Sequence, residues 1–206
     1  MSRSRRSLGF AAGVVALTAI TAMQHTRSLA ATPADVAFEQ QFGNDFFDRL
    51  WQLYPDRAVE TGYYKYADRL AVPDARARAA RLEQNDRWAA ELRRIDPAEL
   101  SPNFRADWEM LDNEFAATRW YLTELREWQW NPAAYNVADA FDLIVTRDYA
   151  PLEDRLRAFN ARLASVPAYY AAAKASIERP TREHTELAIE QNRGALEVFG
   201  AELEST

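Results

Sequence analysis

Apolar residues recur every three or four positions along most of this chain, and prolines stand where several of these runs begin. A repeat of that length places the apolar side chains on one face of an α-helix. The clearest runs are 34–54, 102–127, 151–164 and 182–203. Their predicted core-facing stripes are Phe38, Phe42, Phe46, Leu50 and Leu53; Phe104, Trp108, Leu111, Phe115, Leu122 and Leu125; Leu152, Leu156, Phe159 and Leu163; and Ile189, Leu196, Phe199 and Leu203.

Weaker patterns predict the segments between these helices. Residues 74–94 are rich in Ala and Arg and read as a helix, 139–147 as a short helix, and 55–73 as an irregular connection. Thr32-Pro33 and Ser101-Pro102 each place a capping hydroxyl just before a proline that suits the first helical turn. The chain has no Asn-Gly or Asp-Gly turn between apolar runs, which argues against β-hairpins.

The sequence therefore predicts an all-α fold, a largely antiparallel helical bundle. The last helical pattern contains Gly194 and Gly200 and runs on to Thr206 without a clear stop signal. We therefore expect the bundle to be an incomplete N-terminal part of a larger helical protein, and an isolated part with unpaired apolar faces to self-associate.

Residues 1–30 have the features of a cleaved signal peptide. Arg3, Arg5 and Arg6 precede an uncharged stretch of 16 residues, Leu8 to Met23, which is shorter than the ~20 residues that span a bilayer. Small residues at positions 28 and 30 suit cleavage before Ala31. The paired arginines also match a twin-arginine export signal. We therefore expect 31–206 to be one helical region that is exported to the periplasm or the exterior, with no membrane span after cleavage.

Charge and cysteine content narrow the function classes. Without the four arginines of the leader the chain carries 21 basic and 31 acidic residues, a net charge of −10. An acidic exported protein is a poor partner for nucleic acid. The chain has no cysteine, which excludes thiol catalysis and disulfides and leaves packing to stabilise the fold.

One histidine, His184, remains after the leader, and this scarcity bears on metal chemistry. A zinc hydrolase motif needs two histidines one turn apart on a helix, and a di-iron bundle needs Glu three residues before His, where this chain has Thr181. Serine catalysis also needs a His partner, and no Gly-x-Ser-x-Gly occurs. We predict no catalytic, cofactor-binding or metal-binding residue in this chain, and a capping or surface role for His184.

Two other sets of residues remain candidates for binding. Carboxylates share a helix face at Glu109 and Asp112 and again in a longer row, which can supply acid/base or calcium ligands but more simply forms a solvated face. Aromatic residues near Asn131-Pro132 can line a groove for peptide or sugar, with Trp128 and Trp130 the best placed. The row is Glu183, Glu186 and Glu190, and the other aromatics are Trp120, Tyr121 and Tyr135.

The order of several short motifs resembles the N-terminal third of a bacterial family called domain of unknown function 885. The motifs are Tyr54-Pro55 with Ala58 and Gly62, Asp68-Arg69-Leu70, Asn131-Pro132 with Tyr135, Tyr149 to Leu156, Arg162-Leu163 with Val166-Pro167, and Pro180 with His184, Ala188-Ile189, Gln191 and Gly194. The resemblance implies a long, mostly helical, exported protein related to zinc metallopeptidases. The family's His-Glu metal motif lies in its C-terminal half, and nothing in this chain matches it.

Two hypotheses follow. In the first, this is the N-terminal helical part of an exported metallopeptidase-like hydrolase, and it forms one wall of a cleft for a peptide substrate. Zinc would then belong to the full-length parent protein. In the second, the chain is a complete, non-catalytic helical binding module of the periplasm.

Overall fold

The computed structural model describes residues 31–200 and Leu203, and the predicted signal peptide lies outside these residues. Thr32 and the described residues after it form one compact unit. The α-helices are α1 Pro33–Phe42, α2 Asn44–Leu53, α3 Pro55–Glu60, α4 Ala75–Leu92, α5 Pro102–Trp120, α6 Glu127–Trp130, α7 Ala138–Thr146, α8 Leu152–Leu163, α9 Val166–Ser176 and α10 Arg182–Val198. No β-strand occurs in the described part, which confirms the all-α prediction.

The predicted helix over 34–54 is two helices, because the chain bends at Gly43. A side chain at this position would place its Cβ 2.4 Å from the carbonyl oxygen of Glu39. Only glycine allows this close approach of backbone to backbone. The bend keeps Phe38, Phe42 and Phe46 in one core while α1 and α2 run in different directions.

Asp35 fixes the start of α1 and, at the same time, the start of α5. Its carboxylate accepts hydrogen bonds from the backbone N–H of Thr32 (2.8 Å) and of Ser101 (2.9 Å). The Thr32 hydroxyl caps α1 as predicted, accepting from the N–H of Asp35. The predicted cap by the Ser101 hydroxyl is wrong, since that side chain makes no capping bond, and the start of α5 is instead held by the bond from the Ser101 N–H to Asp35.

Two apolar clusters make up the core. Helices α1, α2, α4 and α5 enclose the first, which is mainly aromatic, and α4 packs on α5 as a helical hairpin. The second lies between α3, α7, α8, α9 and α10. Helix α9 and the short α3 fall outside the predicted helices, and a turn of 3₁₀-helix at Tyr64–Tyr66 lies in the connection predicted to be irregular.

The inward face predicted for α8 is wrong. Leu152, Leu156 and Leu163 are each about 40% exposed, and only Phe159 of that stripe is buried. The face against the core carries Arg155, Phe159 and Arg162 instead. The leucines lie at its edge, because two arginines take the central positions.

Arg162 is fully buried and joins three elements of the second core. Its Nε donates to the carbonyl oxygen of Ala67 (2.6 Å), and its Nη1 donates to that of Ala140 in α7 and lies 3.0 Å from Asp56 Oδ1 in α3. Burying a charge is costly unless it is paired and hydrogen-bonded. The carbonyl groups and the carboxylate supply partners for Nε and Nη1, whereas Nη2 has no hydrogen-bond partner among the described residues.

Arg155 has a related role two turns earlier in α8. Its guanidinium donates to the carbonyl oxygens of Val145 (2.6 Å) and Ala150 (3.1 Å), so it satisfies backbone groups at the end of α7 and in the following loop. The two arginines thus hold α8 against α7 by hydrogen bonds to the main chain.

The stripe predicted for α10 is wrong for two of its four members. Ile189 and Leu196 are 48% and 70% exposed, whereas Phe199 and Leu203 pack against the second core. The residues of α10 that face inward include Ala188, Ala195 and Val198. Small side chains stand there because α10 lies close against α7 and the turn at Pro132–Ala134.

We expect Arg162→Met to lower the free energy of unfolding by about 3 kcal/mol, because it removes the charge partner of Asp56 and the hydrogen bonds to the carbonyl groups of Ala67 and Ala140. Urea denaturation measures this loss. Arg157→Met is the matched control, since Arg157 is exposed on the same helix and pairs only with Glu153 and Asp154. Its effect should stay within about 0.5 kcal/mol. Equal losses for the two variants would contradict the role given to Arg162.

Glycine-to-alanine substitutions should have opposite signs at two sites. Gly43→Ala forces the Glu39 carbonyl to move and should destabilise the protein by more than about 1 kcal/mol. Gly194→Ala lies inside α10 with nothing within 4 Å of the new Cβ, and it should stabilise by about 0.5 kcal/mol. Thermal unfolding of the two variants beside the parent protein checks both signs.

Candidate functional site

The segment after α5 presents the tryptophans of the predicted groove. Helix α5 continues into a π-helical turn, Tyr121–Leu125, and ends at Arg126, whose φ is +49°. The reversal leaves carbonyl groups of this turn without helical partners. The indole N–H of Trp128 donates to Leu122 O (3.3 Å), and that of Trp130 donates to Leu125 O (3.0 Å). Both tryptophans therefore cap the end of the preceding helix.

Only one of these two tryptophans lines a cavity found near this turn. Trp128, Tyr121 and Tyr135 line a space of about 230 Å³, which we call the Trp128 cavity. Arg78 also lines it and stacks on the Trp128 ring at 4.0 Å. Trp130 instead packs edge-on against His184 at 5.2 Å. Trp120 lies outside this lining, about half exposed.

A larger cavity, which Tyr135 also lines, lies between α9 and α10. This α9–α10 cavity measures about 480 Å³, within the range of small-ligand sites. The tyrosines and alanines make its wall largely apolar, and Lys174, Thr185 and Asn192 add polar groups. Its lining is Pro132, Tyr135, Tyr170, Ala173, Lys174, Ile177, Pro180, Thr185, Ala188 and Asn192.

Hydrogen bonds hold the wall of the α9–α10 cavity in place. The Tyr170 hydroxyl donates to Asn192 Oδ1 (2.6 Å), and Asn192 Nδ2 donates to Ala188 O (2.8 Å). The Tyr135 hydroxyl donates to Trp128 O (2.7 Å). Burial raises the pKa of both tyrosines, so their hydroxyl groups remain protonated donors. Lys174 is exposed at this wall.

His184 lies in the first turn of α10, as its sequence position predicts. Thr181 is the N-cap, and its hydroxyl accepts from the backbone N–H of His184 (3.3 Å) and lies 2.6 Å from His184 Nδ1. The imidazole is thereby tied to the helix start and to the Trp130 ring. This geometry gives His184 a structural role.

The predicted carboxylate sets lie on exposed helix faces beside arginines. Glu186 pairs with Arg182 (2.7 Å) and Glu190 with Arg193 (3.0 Å), while Asp112 lies 3.8 Å from Arg93. Glu109 and Glu183 are exposed too. Among the residues that the structure describes, no three His, Cys, Asp or Glu side chains are grouped so that they could hold a metal ion. These residues therefore offer no zinc ligand set, and the resemblance implies a zinc motif only in the C-terminal half of the family.

A third cavity is formed mostly by residues that the sequence analysis assigned to the core or left out, together with Tyr54 of the first family motif. We call it the α2–α5 cavity; it measures about 430 Å³ and is bounded by α2, the start of α3, α4 and α5. Phe47, Trp51 and Met110 belong to its lining. The signal in the sequence is an apolar arc on α2 that is too wide for one core face, since Phe47 and Trp51 extend the stripe of Phe46 and Leu50.

Asp48 is the centre of a polar cluster beside α2. Its Oδ1 accepts hydrogen bonds from Tyr63 (2.7 Å), Lys65 (2.7 Å) and Tyr66 (2.9 Å). The hydrogen bonds from Lys65 and Tyr63 hold the pKa of Asp48 well below its ordinary value of 3.8. The same bonds raise the pKa of Lys65 and of Tyr63. The cluster fastens the connection after α3 to α2.

Comparison with known proteins places the chain in a family. The family model described as "Bacterial protein of unknown function (DUF885)" matches residues 55–205, and the chain belongs to that family. It is also similar to a solved structure described as a putative lipoprotein of unknown function from Shewanella oneidensis, with 42% identity and a TM-score of 0.77. The match covers 81% of this chain and 30% of that one, so this chain spans about a third of its length. No curated protein matches the chain.

Asp48→Asn should change how stability depends on pH. The lowered pKa of Asp48 means that its ionised form is favoured in the folded protein. Its contribution is therefore fully present above the unfolded value of about 3.9 and is lost as the pH falls below that value. The melting temperature of Asp48→Asn should lie below that of the parent at pH 7, and the difference should shrink towards pH 2. Asp107→Asn, at an exposed position of α5, should show no such convergence.

Proposed function

We propose that this chain is the N-terminal helical part of an exported, metallopeptidase-like hydrolase, in which it forms one wall of the cleft for a polypeptide substrate. Membership of the family and the partial coverage of the similar structure support a role within a longer protein. In this proposal any metal and its ligands belong to residues outside the described ones.

The observation that carries the proposal is the composition of the α9–α10 cavity. Pro132 with Tyr135, and Pro180 with Ala188, come from two of the motifs on which the family resemblance rests, and these two motifs lie far apart in sequence. The fold brings them to the wall of one open cavity. Other motif residues, such as Ala58 and Arg162, are buried in the core. The four at this cavity have an open space beside them, which supports a binding role for that surface.

Chemically, this wall suits a polypeptide with apolar side chains. Tyr135, Tyr170 and Ile177 offer apolar and aromatic contact, and the amide of Asn192 and the hydroxyl of Thr185 lie among them. The ammonium group of Lys174 is suited to a carboxylate or a carbonyl oxygen of the substrate. No helix in the described part is both long enough and apolar enough to cross a membrane. Export to the periplasm, by the twin-arginine or another route, remains part of the proposal.

The gene sequence past the codon for Thr206 tests the first part of the proposal. An open frame that encodes a His-Glu-x-x-His-type motif supports it. A stop codon directly after Thr206 would instead favour a non-catalytic binding module.

Purified residues 31–206 should bind no stoichiometric zinc in the sub-micromolar range, measured by equilibrium dialysis and metal analysis. A tight zinc site in residues 31–206 would contradict the proposal that the metal and its ligands lie outside the described residues.

A variant of the full-length protein tests the role of the wall. Lys174→Ala should raise KM for cleavage of an unstructured polypeptide by about five- to tenfold and leave kcat nearly unchanged. The reason is that a binding contact far from the reacting bond is lost equally in the substrate complex and in the transition state. Arg193→Ala removes an exposed cation from the same region, paired with Glu190, and is the control. A fall in kcat alone would place Lys174 in another role.

A further inference from the structure

The α2–α5 cavity has an aromatic floor that is itself part of the first core. Phe46, Trp88 and Phe115 are nearly inaccessible to solvent. The Phe46 and Trp88 rings meet edge to face at 5.0 Å, and Phe115 lies 6.2 Å from each of them. Core packing holds this floor rigid, so the concave shape above it exists without a ligand.

The rim of the cavity is apolar and exposed. Phe47 is 46% exposed and stacks on Trp51 with 6.4 Å between ring centroids, and Met110 on α5 is 68% exposed. A flexible thioether and two aromatic rings around a cavity suit a flat apolar group, because sulfur and ring edges both contact aromatic faces favourably. Apolar side chains grouped around a concave space mark a binding site more often than a plain surface.

Two opposite charges lie side by side among the residues around this cavity. Arg57 Nη1 on α3 and Glu114 Oε1 on α5 are 3.9 Å apart, and both side chains are more than half exposed. An exposed ion pair of this length is weak, so each of the two side chains can leave the other and bind a ligand atom instead. A guanidinium and a carboxylate together match a peptide group, which offers a carbonyl acceptor and an N–H donor.

We propose that the α2–α5 cavity binds an aromatic side chain of a polypeptide, with the ring on Phe46, Trp88 and Phe115 and the adjacent main chain between Arg57 and Glu114. The paired charges at an apolar site favour a peptide over an uncharged hydrocarbon. This inference rests on the proposed polypeptide substrate and gives it a preferred side chain, at a site separate from the α9–α10 cavity.

The test is a calorimetric titration of the purified protein with two blocked pentapeptides, which differ only in a central Phe or Ala. The Phe peptide should bind at least about tenfold more tightly, because the free energy gained by burying a phenyl ring corresponds to more than a tenfold decrease in Kd. Met110→Lys places a charge at the rim and should weaken the Phe peptide by about tenfold. Leu196→Lys on α10 is the matched control, as Leu196 is 70% exposed and lies outside the cavity.

Several outcomes would overturn the inference. These are equal affinities for the two peptides, no effect of Met110→Lys, or an equal effect of Leu196→Lys. A dimer in sedimentation that Met110→Lys dissociates, without peptide binding, would assign the cavity to self-association instead. Because the titration measures no cleavage, Phe-selective binding stands even if the gene encodes no metal motif. A confirmed metal motif with unselective binding would remove the inference and leave the proposed function.

Discussion

A buried guanidinium is the constraint on which the second core depends. Arg162 takes the middle of the inward face of α8 and reaches α3 through Asp56, the following connection through Ala67, and α7 through Ala140. A charge in that place has to be matched by fixed partners, so the positions of three elements are set together. Arg155 extends the same arrangement to the end of α7.

This arrangement also determines what remains exposed. Because the arginines occupy the inward face of α8, Leu152, Leu156 and Leu163 lie along its edge. On α10, Ile189 and Leu196 are exposed as well. The helices around the second core thus carry exposed apolar side chains as well as the α9–α10 cavity. The chain spans about a third of the similar structure. Exposed apolar side chains near a cavity are consistent with the binding role proposed for the wall of the α9–α10 cavity.

The two cavities of interest differ in their origin. The α9–α10 cavity lies where residues of two motifs meet, and its tyrosines are held by hydrogen bonds to Asn192 and to the backbone at Trp128. The α2–α5 cavity is instead an extension of the aromatic core, with Phe46, Trp88 and Phe115 as its floor. Neither cavity depends on the histidine, and His184 acts at the start of α10 with Thr181.

The sequence by itself determined the helical class, most helix positions and the buried aromatic stripe of α1 and α2, because periodicity and caps are local properties. It also determined that no paired histidines are available in 31–206. Tertiary structure alone decided which face of α8 and α10 is buried, since Arg155, Arg162 and Ala188 become inward residues only when distant carbonyl groups and a close helix are in place. The same holds for both cavities, since the α9–α10 cavity also needs the wall of Pro132 and Tyr135, and the α2–α5 cavity joins α2 with α4 and α5.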